Sequence, residues 1–214
     1  MRLVFVRHGE SEGNAEERLQ GHADYGLTPT GRAQSQELRE RFRNENLRPT
    51  HIYSSPLRRA AETVQIVTSI WPIQVTYWGE LKEQDIGVFS GLTWDEISAK
   101  YPEVAQQFQM SRDWEIVDGA ETLESLRDRG RHVLLALKAL HTNDDAVLVF
   151  THGGILQHMV AELMGTGRTW EISVHNTALF EFILDIDQWP LDGAGLKSGF
   201  RWSIVHFNDA SHSA

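Results

Sequence analysis

The sequence predicts an α/β fold: a three-layer sandwich with a mostly parallel sheet, helices on both faces, and an antiparallel edge strand near the C-terminus. Two observations predict it. Short apolar runs alternate with longer segments of helical spacing, as in parallel strands joined by crossover helices. Near the C-terminus, two strand-like runs follow one another with only a Gly- and Pro-containing stretch between them, which favours a hairpin.

The strands are predicted from short apolar runs bounded by polar residues. They cover residues 3–6, 51–54, 74–77 and 146–150, followed by the two hairpin strands 178–184 and 201–207 and the turn 187–199 between these two.

The helices are predicted from their start signals and apolar spacing. Thr28 as N-cap and Pro29 in the first turn predict a helix up to about residue 43. Ser55 and Pro56 form the same pattern and predict a helix up to about residue 70. Thr93 and Glu96 form a capping box for a short helix. Apolar residues keep helical spacing over 122–140, and a last helix covers 154–164.

Composition limits the classes of function. A chain of 214 residues with 41% hydrophobic and 23% charged residues suits one core, so a single domain over residues 1–214 is expected. A net charge of -10 argues against nucleic acid as a partner. The absence of cysteine excludes thiol nucleophiles and thiolate metal sites. Without an apolar stretch of membrane length or a signal peptide, no membrane association and a cytoplasmic location are expected.

Polar segments follow three of the predicted parallel strands directly. Because ligands bind beyond the carboxyl ends of such strands, these segments are expected to meet at one site. They are Arg7-His8-Gly9-Glu10, residues 54–59 with Arg58-Arg59, and Thr151-His152-Gly153-Gly154.

Histidines and arginines together suit phosphoryl transfer. Arginine binds two phosphate oxygens at once and stays charged, and neutral imidazole can attack phosphorus. His8 would need an acceptor at its other ring nitrogen, such as a backbone carbonyl near Gly9. Taken singly, each histidine could be an ordinary polar residue, and Arg58 and Arg59 a solvated helix start. A cation in the first turn of a helix is unfavourable, however, unless an anion binds there.

The ordered motifs resemble those of the histidine phosphatase superfamily, the phosphoglycerate mutase-like enzymes, over roughly residues 2–160. The resemblance places the family's arginine at Arg59, with Arg58 in a variable slot, and its acid at Glu83. Ala120 replaces the second glycine of one motif. The matching segments are Arg7-His8-Gly9-Glu10-Ser11 with Asn14, then residues 18–21, 27–31, 55–60, 81–87, 118–121 and 151–154.

The resemblance implies a mechanism with a phosphohistidine intermediate. His8 would be the nucleophile, Glu83 the proton donor and later the base, and Arg7, Arg59 and His152 the phosphate-holding groups. The implied substrate-binding residues are Asn14, Ser11, Gln20, Gly21 and Gly153. No metal or other cofactor is implied, because the cationic side chains take the place that Mg²⁺ fills in other phosphoryl-transfer enzymes.

Several functions remain open at this stage. A metal-independent phosphomonoester hydrolase acting on a small phosphorylated metabolite is favoured, because the stretch from Glu83 to His152 is shorter than in typical mutases of the family. The alternatives are phosphoglycerate mutase-type transfer, a phosphate-binding regulatory domain, and a metal site formed by His8, His152 and Glu83. Either a monomer or a homodimer is expected, since the C-terminal edge strand could pair between subunits.

A cap-like insertion is expected around residues 85–120, with the loop 20–25 beside it. Its aromatic side chains either select a bulky substrate or pack the insertion onto the sheet, and the second interpretation is favoured. The aromatic residues are Tyr25, Phe89, Trp94, Tyr101, Phe108 and Trp114.

Overall fold

Six strands form one mixed sheet in the computed structural model of the chain, which describes residues 1–166, 169, 173–189 and 202–213. The strands are β1 (Arg2–Arg7), β2 (His51–Ser54), β3 (Val75–Tyr77), β4 (Ala146–Thr151), β5 (Leu179–Leu184) and β6 (Trp202–Asp209). Their order across the sheet is β3-β2-β4-β1-β5-β6.

The strand directions confirm the predicted sheet, which is mostly parallel with an antiparallel edge strand near the C-terminus. The four strands β1 to β4 are mutually parallel, whereas β5 pairs antiparallel with β1, and β6 pairs antiparallel with β5 at the edge. Of the turn predicted over residues 187–199, the part from residue 190 onward lies outside the described residues, as does the predicted first residue of β6, Arg201.

Seven α-helices lie in the described part of the chain. They are α1 (Glu12–Ala15), α2 (Pro29–Asn44), α3 (Arg58–Thr68), α4 (Trp94–Lys100), α5 (Pro102–Ser111), α6 (Leu123–Leu140) and α7 (Gly153–Leu163). The predicted side-chain caps form at Thr28 and Thr93, and Thr122 forms a further one; each threonine accepts a backbone N–H three residues on. The sequence interpretation missed α1 and α5. No described helix has the length and apolar character needed to cross a membrane.

Helices cover both faces of the sheet, as the three-layer prediction requires. Alternate residues of a strand point to opposite faces, so Val147 and Val149 of β4 pack with α6 and α7, while Leu148 and Phe150 pack with α2 and α3. These two buried apolar clusters hold the helices against the sheet, and so they set where the first turn of each helix lies relative to the end of the preceding strand.

The segment between β3 and α6 has an apolar cluster of its own. Phe89 is its centre, with Phe108, Trp94, Tyr101 and Trp114 in edge or tilted ring contacts around it. These rings pack with one another inside the insertion, whereas the prediction had them packing the insertion onto the sheet. Tyr25 contacts the loop outside this cluster, through a hydrogen bond to the Gly91 carbonyl of 3.3 Å.

Candidate active site

The carboxyl ends of β1, β2 and β4 lie side by side. Arg7 is in register with Thr151, and Ser54 with Phe150. His8, Ser55 and His152, the residues directly after these strands, are therefore brought together, and all three are buried.

His8 is held in one tautomer by the backbone. Its Nδ1 lies 2.7 Å from the carbonyl oxygen of Gly9, so Nδ1 carries the donated proton and the lone pair is on Nε2. Burial, and then the charges of Arg59 and Arg7, lower the pKa of His8 well below 6.5, against the smaller opposing effect of the Gly9 hydrogen bond. His8 is therefore neutral at pH 7, as a nucleophilic imidazole must be.

His152 lies next to His8, with 5.1 Å between the ring centroids. The Nε–H of Arg59 donates to His152 Nδ1 over 3.1 Å, so the imidazole proton is on Nε2, which donates to Ser55 Oγ over 2.7 Å. Burial first, and then the charge of Arg59, lower the pKa of His152 well below 6.5. Both ring nitrogens are engaged, so a direct phosphate contact requires that Nε2–H leave Ser55.

The prediction that Ser55 caps a helix is wrong. Helix α3 begins at Arg58, and its N-cap is Leu57, which has no side-chain capping bond. Ser55 Oγ instead accepts the Leu57 N–H over 3.2 Å and the proton of His152.

Two guanidinium groups flank the histidines. Arg7 donates through Nη1 to the Val174 carbonyl, while its buried Nε has no hydrogen-bond partner among the described residues. Arg59 is 1% exposed and donates to the carbonyls of Gly21, over 2.9 Å, and Ala23, over 3.0 Å. Burial lowers the pKa of Arg7 and lowers that of Arg59 to about 10, so both remain charged at pH 7.

Arg58 and Arg59 have opposite environments. Arg58 is exposed and pairs with Glu62 over 2.7 Å, whereas Arg59 points into the site. The structure thus places Arg59 at the site and Arg58 on the surface.

Glu83 reaches the site from the segment after β3. Its carboxylate accepts the backbone N–H groups of Gly154 over 3.0 Å and Ile155 over 3.1 Å in the first turn of α7, and that of Gln84 over 2.9 Å. It therefore lies at the positive end of a helix dipole. Of these three bonds only the one from Gly154 goes to Oε2, so this oxygen keeps a lone pair that can face a ligand while the carboxylate is held in position.

A cavity of about 270 Å³ opens onto these groups. Most of the predicted residues line it, but Ser11 and Gly153 do not: Ser11 is fully buried and caps α1, while Gly153 lies one residue away from the lining Gly154. The fully buried His152 is behind the lining. A groove of about 740 Å³ beside α2 is larger, but its walls are mostly polar surface side chains. The lining comprises Arg7, His8, Asn14, Arg18, Leu19, Gln20, Gly21, Arg59, Glu83, Gln84, Ile86, Trp114 and Gly154.

The structure adds residues that sequence analysis missed. Asn176 donates to the His8 carbonyl over 3.1 Å and to Asn14 Oδ1 over 3.4 Å, so a segment far along the chain supports the backbone of His8. Arg18 and Gln84 also line the cavity. No signal in the sequence singled out Asn176, whereas Arg18 and Gln84 lie inside the matched motifs.

The alternative of a metal held by His8, His152 and Glu83 is disfavoured by this geometry. The lone pair of His152 Nδ1 is taken by Arg59, and two guanidinium groups would repel a cation. The same features suit a small anion.

The fold and the site together define an α/β protein with a buried, cation-flanked histidine pair at the carboxyl edge of its sheet. Residues 3–196 match the family model of the histidine phosphatase superfamily (branch 1). The chain belongs to this superfamily of enzymes and has phosphatases among its relatives.

Two relatives from Arabidopsis thaliana and one solved structure illustrate the similarity. Phosphoglycerate mutase-like protein 4 is 35% identical, over 98% of this chain and 86% of its own. A metal-independent phosphoserine phosphatase is 34% identical, over 87% of this chain and 80% of its own. The structure of Bacillus stearothermophilus YhfR has a TM-score of 0.82 at 25% identity and covers 100% of this chain and 99% of its own.

Proposed function

We propose that the protein is a phosphomonoester hydrolase that acts through a phosphorylated His8 on a small phosphorylated metabolite. The observation that carries the proposal is the state of His8: buried, neutral, fixed in the Nδ1–H tautomer, and flanked by two arginines. The Nε–H of Arg7, which has no partner in the described part of the chain, is a donor that a phosphate oxygen would satisfy.

The first step forms a nitrogen–phosphorus bond and breaks the ester bond. His8 Nε2 attacks phosphorus, and Arg7 and Arg59 neutralise the phosphate oxygens. Glu83 enters this step in its protonated form and gives its proton to the leaving alcohol oxygen. The Gly9 carbonyl stabilises the positive charge that develops on the imidazole. In the second step water attacks phospho-His8, Glu83 takes the water proton, and inorganic phosphate leaves.

Hydrolysis is favoured over mutase-type transfer. The relative named a phosphoserine phosphatase supports this direction, as does the short segment between Glu83 and His152. The cavity is small, and its walls beyond the phosphate groups offer Arg18, Gln84 and Trp114 to the alcohol part of the substrate. Phosphoserine-sized monoesters are the substrate class that these features suit.

The test is release of inorganic phosphate from phosphoserine, 3-phosphoglycerate and sugar phosphates, with EDTA present throughout. Turnover is expected to be lost in His8→Asn and kept in His132→Gln, an exposed histidine on α6. Rapid acid-free quenching with labelled substrate should trap an acid-labile, alkali-stable phosphoprotein in the wild type and in His132→Gln, but not in His8→Asn. Wild-type turnover in His8→Asn would contradict the mechanism, and isomerised phosphoglycerate without phosphate release would favour the mutase.

A further inference from the structure

Two histidines and an aspartate form a second group at the amino ends of β2 and β4, away from the candidate active site. His51 begins β2, His141 follows α6, and Asp145 directly precedes β4. One ligand atom from each of these three residues lies within 4.8 Å of the others. His51 Nδ1 is 3.4 Å from Asp145 Oδ1, and the two imidazole centroids are 4.5 Å apart.

His141 has a buried nitrogen without a partner. Its side chain is 1% exposed, and its Nε2 lies 3.0 Å from the hydroxyl of Tyr53. Its Nδ1 has no hydrogen bond among the described residues, since Asp145 Oδ2 is 3.7 Å away. A buried polar atom without a partner is unfavourable, and this one points into the group formed by His51 and Asp145.

The groups around these side chains resemble the support of a metal site. Ligating histidines bond to a partner through their other nitrogen, as His141 does with Tyr53, and ligating carboxylates are themselves hydrogen-bonded. Asp145 accepts from the backbone N–H of Thr142 over 2.8 Å, from its hydroxyl over 3.1 Å, and from the hydroxyl of Thr50 over 2.9 Å. The carboxylate is therefore fixed in orientation before any ligand binds.

We propose that His51, His141 and Asp145 bind a divalent transition-metal ion of the zinc type, with water completing the coordination. Two imidazoles and one carboxylate suit Zn²⁺ better than Mg²⁺ or Ca²⁺, which prefer oxygen ligands. Tetrahedral ligands about 2.0–2.1 Å from zinc lie about 3.4 Å from one another. His51 Nδ1 is already 3.4 Å from Asp145 Oδ1, whereas His141 Nδ1 is 3.7 Å from the other oxygen, Oδ2. One ligand atom from each residue lies within 4.8 Å of the others, and rotation of the exposed His51 would bring the set to the tetrahedral spacing.

The metal would act on the fold and not on the phosphate chemistry. It would join the connection between α6 and β4 to the start of β2, whose other end carries Ser54 next to the candidate active site. The whole length of β2 separates the two centres. Phosphatase activity in EDTA at moderate temperature is therefore compatible with this metal site, while thermal stability should depend on the metal.

The test is isothermal titration of the full-length, EDTA-treated and dialysed protein with ZnCl₂. We expect one Zn²⁺ per chain and an increase of Tm at saturation. His51→Gln and Asp145→Asn should each weaken the affinity at least tenfold and remove the Tm shift. His132→Gln, in which an exposed histidine of α6 outside the group is replaced, should bind like the wild type.

Cobalt substitution gives a second readout. Co²⁺ should produce visible absorption bands of four-coordinate geometry in the wild type and in His132→Gln, but not in His51→Gln. Circular dichroism checks that each variant is folded. Absence of binding, unchanged binding in His51→Gln and Asp145→Asn, or binding lost in His8→Asn instead would each overturn the proposal, the last by placing the ion at the phosphate centre.

Discussion

Glu83 and Gly154 form a contact that only glycine permits. The Gly154 N–H donates to Glu83 Oε2 over 3.0 Å, and a Cβ at Gly154 would lie 2.5 Å from Glu83 Oε1. The start of α7 thus holds the carboxylate through its backbone at a distance that a side chain would prevent. The group that comes close to the Gly154 backbone is therefore the carboxylate of Glu83.

Gly154→Ala should therefore displace Glu83 and slow turnover. A shift of a catalytic group by about 1 Å can cost on the order of 100-fold in rate, so kcat is expected to fall by at least tenfold. Gly79→Ala is the control, because a Cβ there has no neighbour within 4 Å. Steady-state kinetics on the best substrate of the panel measures the effect; equal kcat values for the two variants would show that the position of Glu83 is not critical.

Ser55→Ala should loosen His152. The Nε2–H of His152 would lose its acceptor, Ser55 Oγ, which lies 2.7 Å away. The buried donor would then be unsatisfied, which should lower the free energy of unfolding by about 1–3 kcal/mol. Ser54→Ala is the comparison, since the hydroxyl of Ser54 donates only to the backbone carbonyl of Ser55. Urea unfolding should show a loss for both variants, while kcat/KM should fall only in Ser55→Ala. A parallel fall of kcat/KM in Ser54→Ala would assign the effect to general destabilisation.

The sequence was sufficient to predict where the site lies, because strand ends are readable from local patterns. Arg7-His8 and Thr151-His152 each follow an apolar run directly in the chain. The parallel pairing of β1 with β4 then brings the two motifs together. The Gly9 carbonyl was expected as the acceptor for His8 for a local reason too, since it belongs to the next residue.

Contacts between distant segments could not be predicted in this way. Asn176 supports His8 from a position 168 residues along the chain, and Arg59 meets His152 across 93 residues. The partner of the Ser55 hydroxyl, His152, is 97 residues away, so local sequence indicated only a helix cap. The group of His51, His141 and Asp145 could not be predicted for the same reason, because His51 is distant in sequence from the other two.

Arg59→Lys should impair catalysis far more than Arg58→Lys. A lysine at 59 keeps the charge but loses the fixed fork that reaches His152 Nδ1 and the carbonyls of Gly21 and Ala23. Loss of one such oriented donor typically costs about 10²–10³ in kcat. Arg58 is exposed and pairs with Glu62, so its replacement should change kcat/KM little. Inhibition by vanadate gives a second measure: weaker inhibition is expected for Arg59→Lys alone, and equal inhibition of both variants would contradict the assignment.

Acid should destabilise the protein through its buried histidines. The pKa values of His8 and His152 lie well below 6.5 in the folded state, so below pH 6.5 the unfolded chain binds more protons than the folded one. The free energy of unfolding therefore falls as the pH drops from 6.5 towards the folded-state values, by up to about 1.4 kcal/mol per pH unit for each histidine. Urea unfolding at pH 7.5 and 5.5 should show a loss about 1.4 kcal/mol smaller in His8→Asn than in the wild type. The same pH dependence in both proteins would mean that His8 is protonated in the fold.

Trp114 should select the alcohol part of the substrate, while Trp94 should not. Both rings pack in the aromatic cluster around Phe89 and Phe108, but only Trp114 also lines the cavity. An aromatic contact with substrate is worth about 0.5–1.5 kcal/mol, or roughly 2- to 12-fold in kcat/KM. Trp114→Leu should thus lower kcat/KM for p-nitrophenyl phosphate relative to phosphoserine by this factor, and Trp94→Leu should leave the ratio unchanged while lowering Tm. If both variants shift the ratio equally, selection is a property of the whole insertion, and if neither does, the substrate does not reach Trp114.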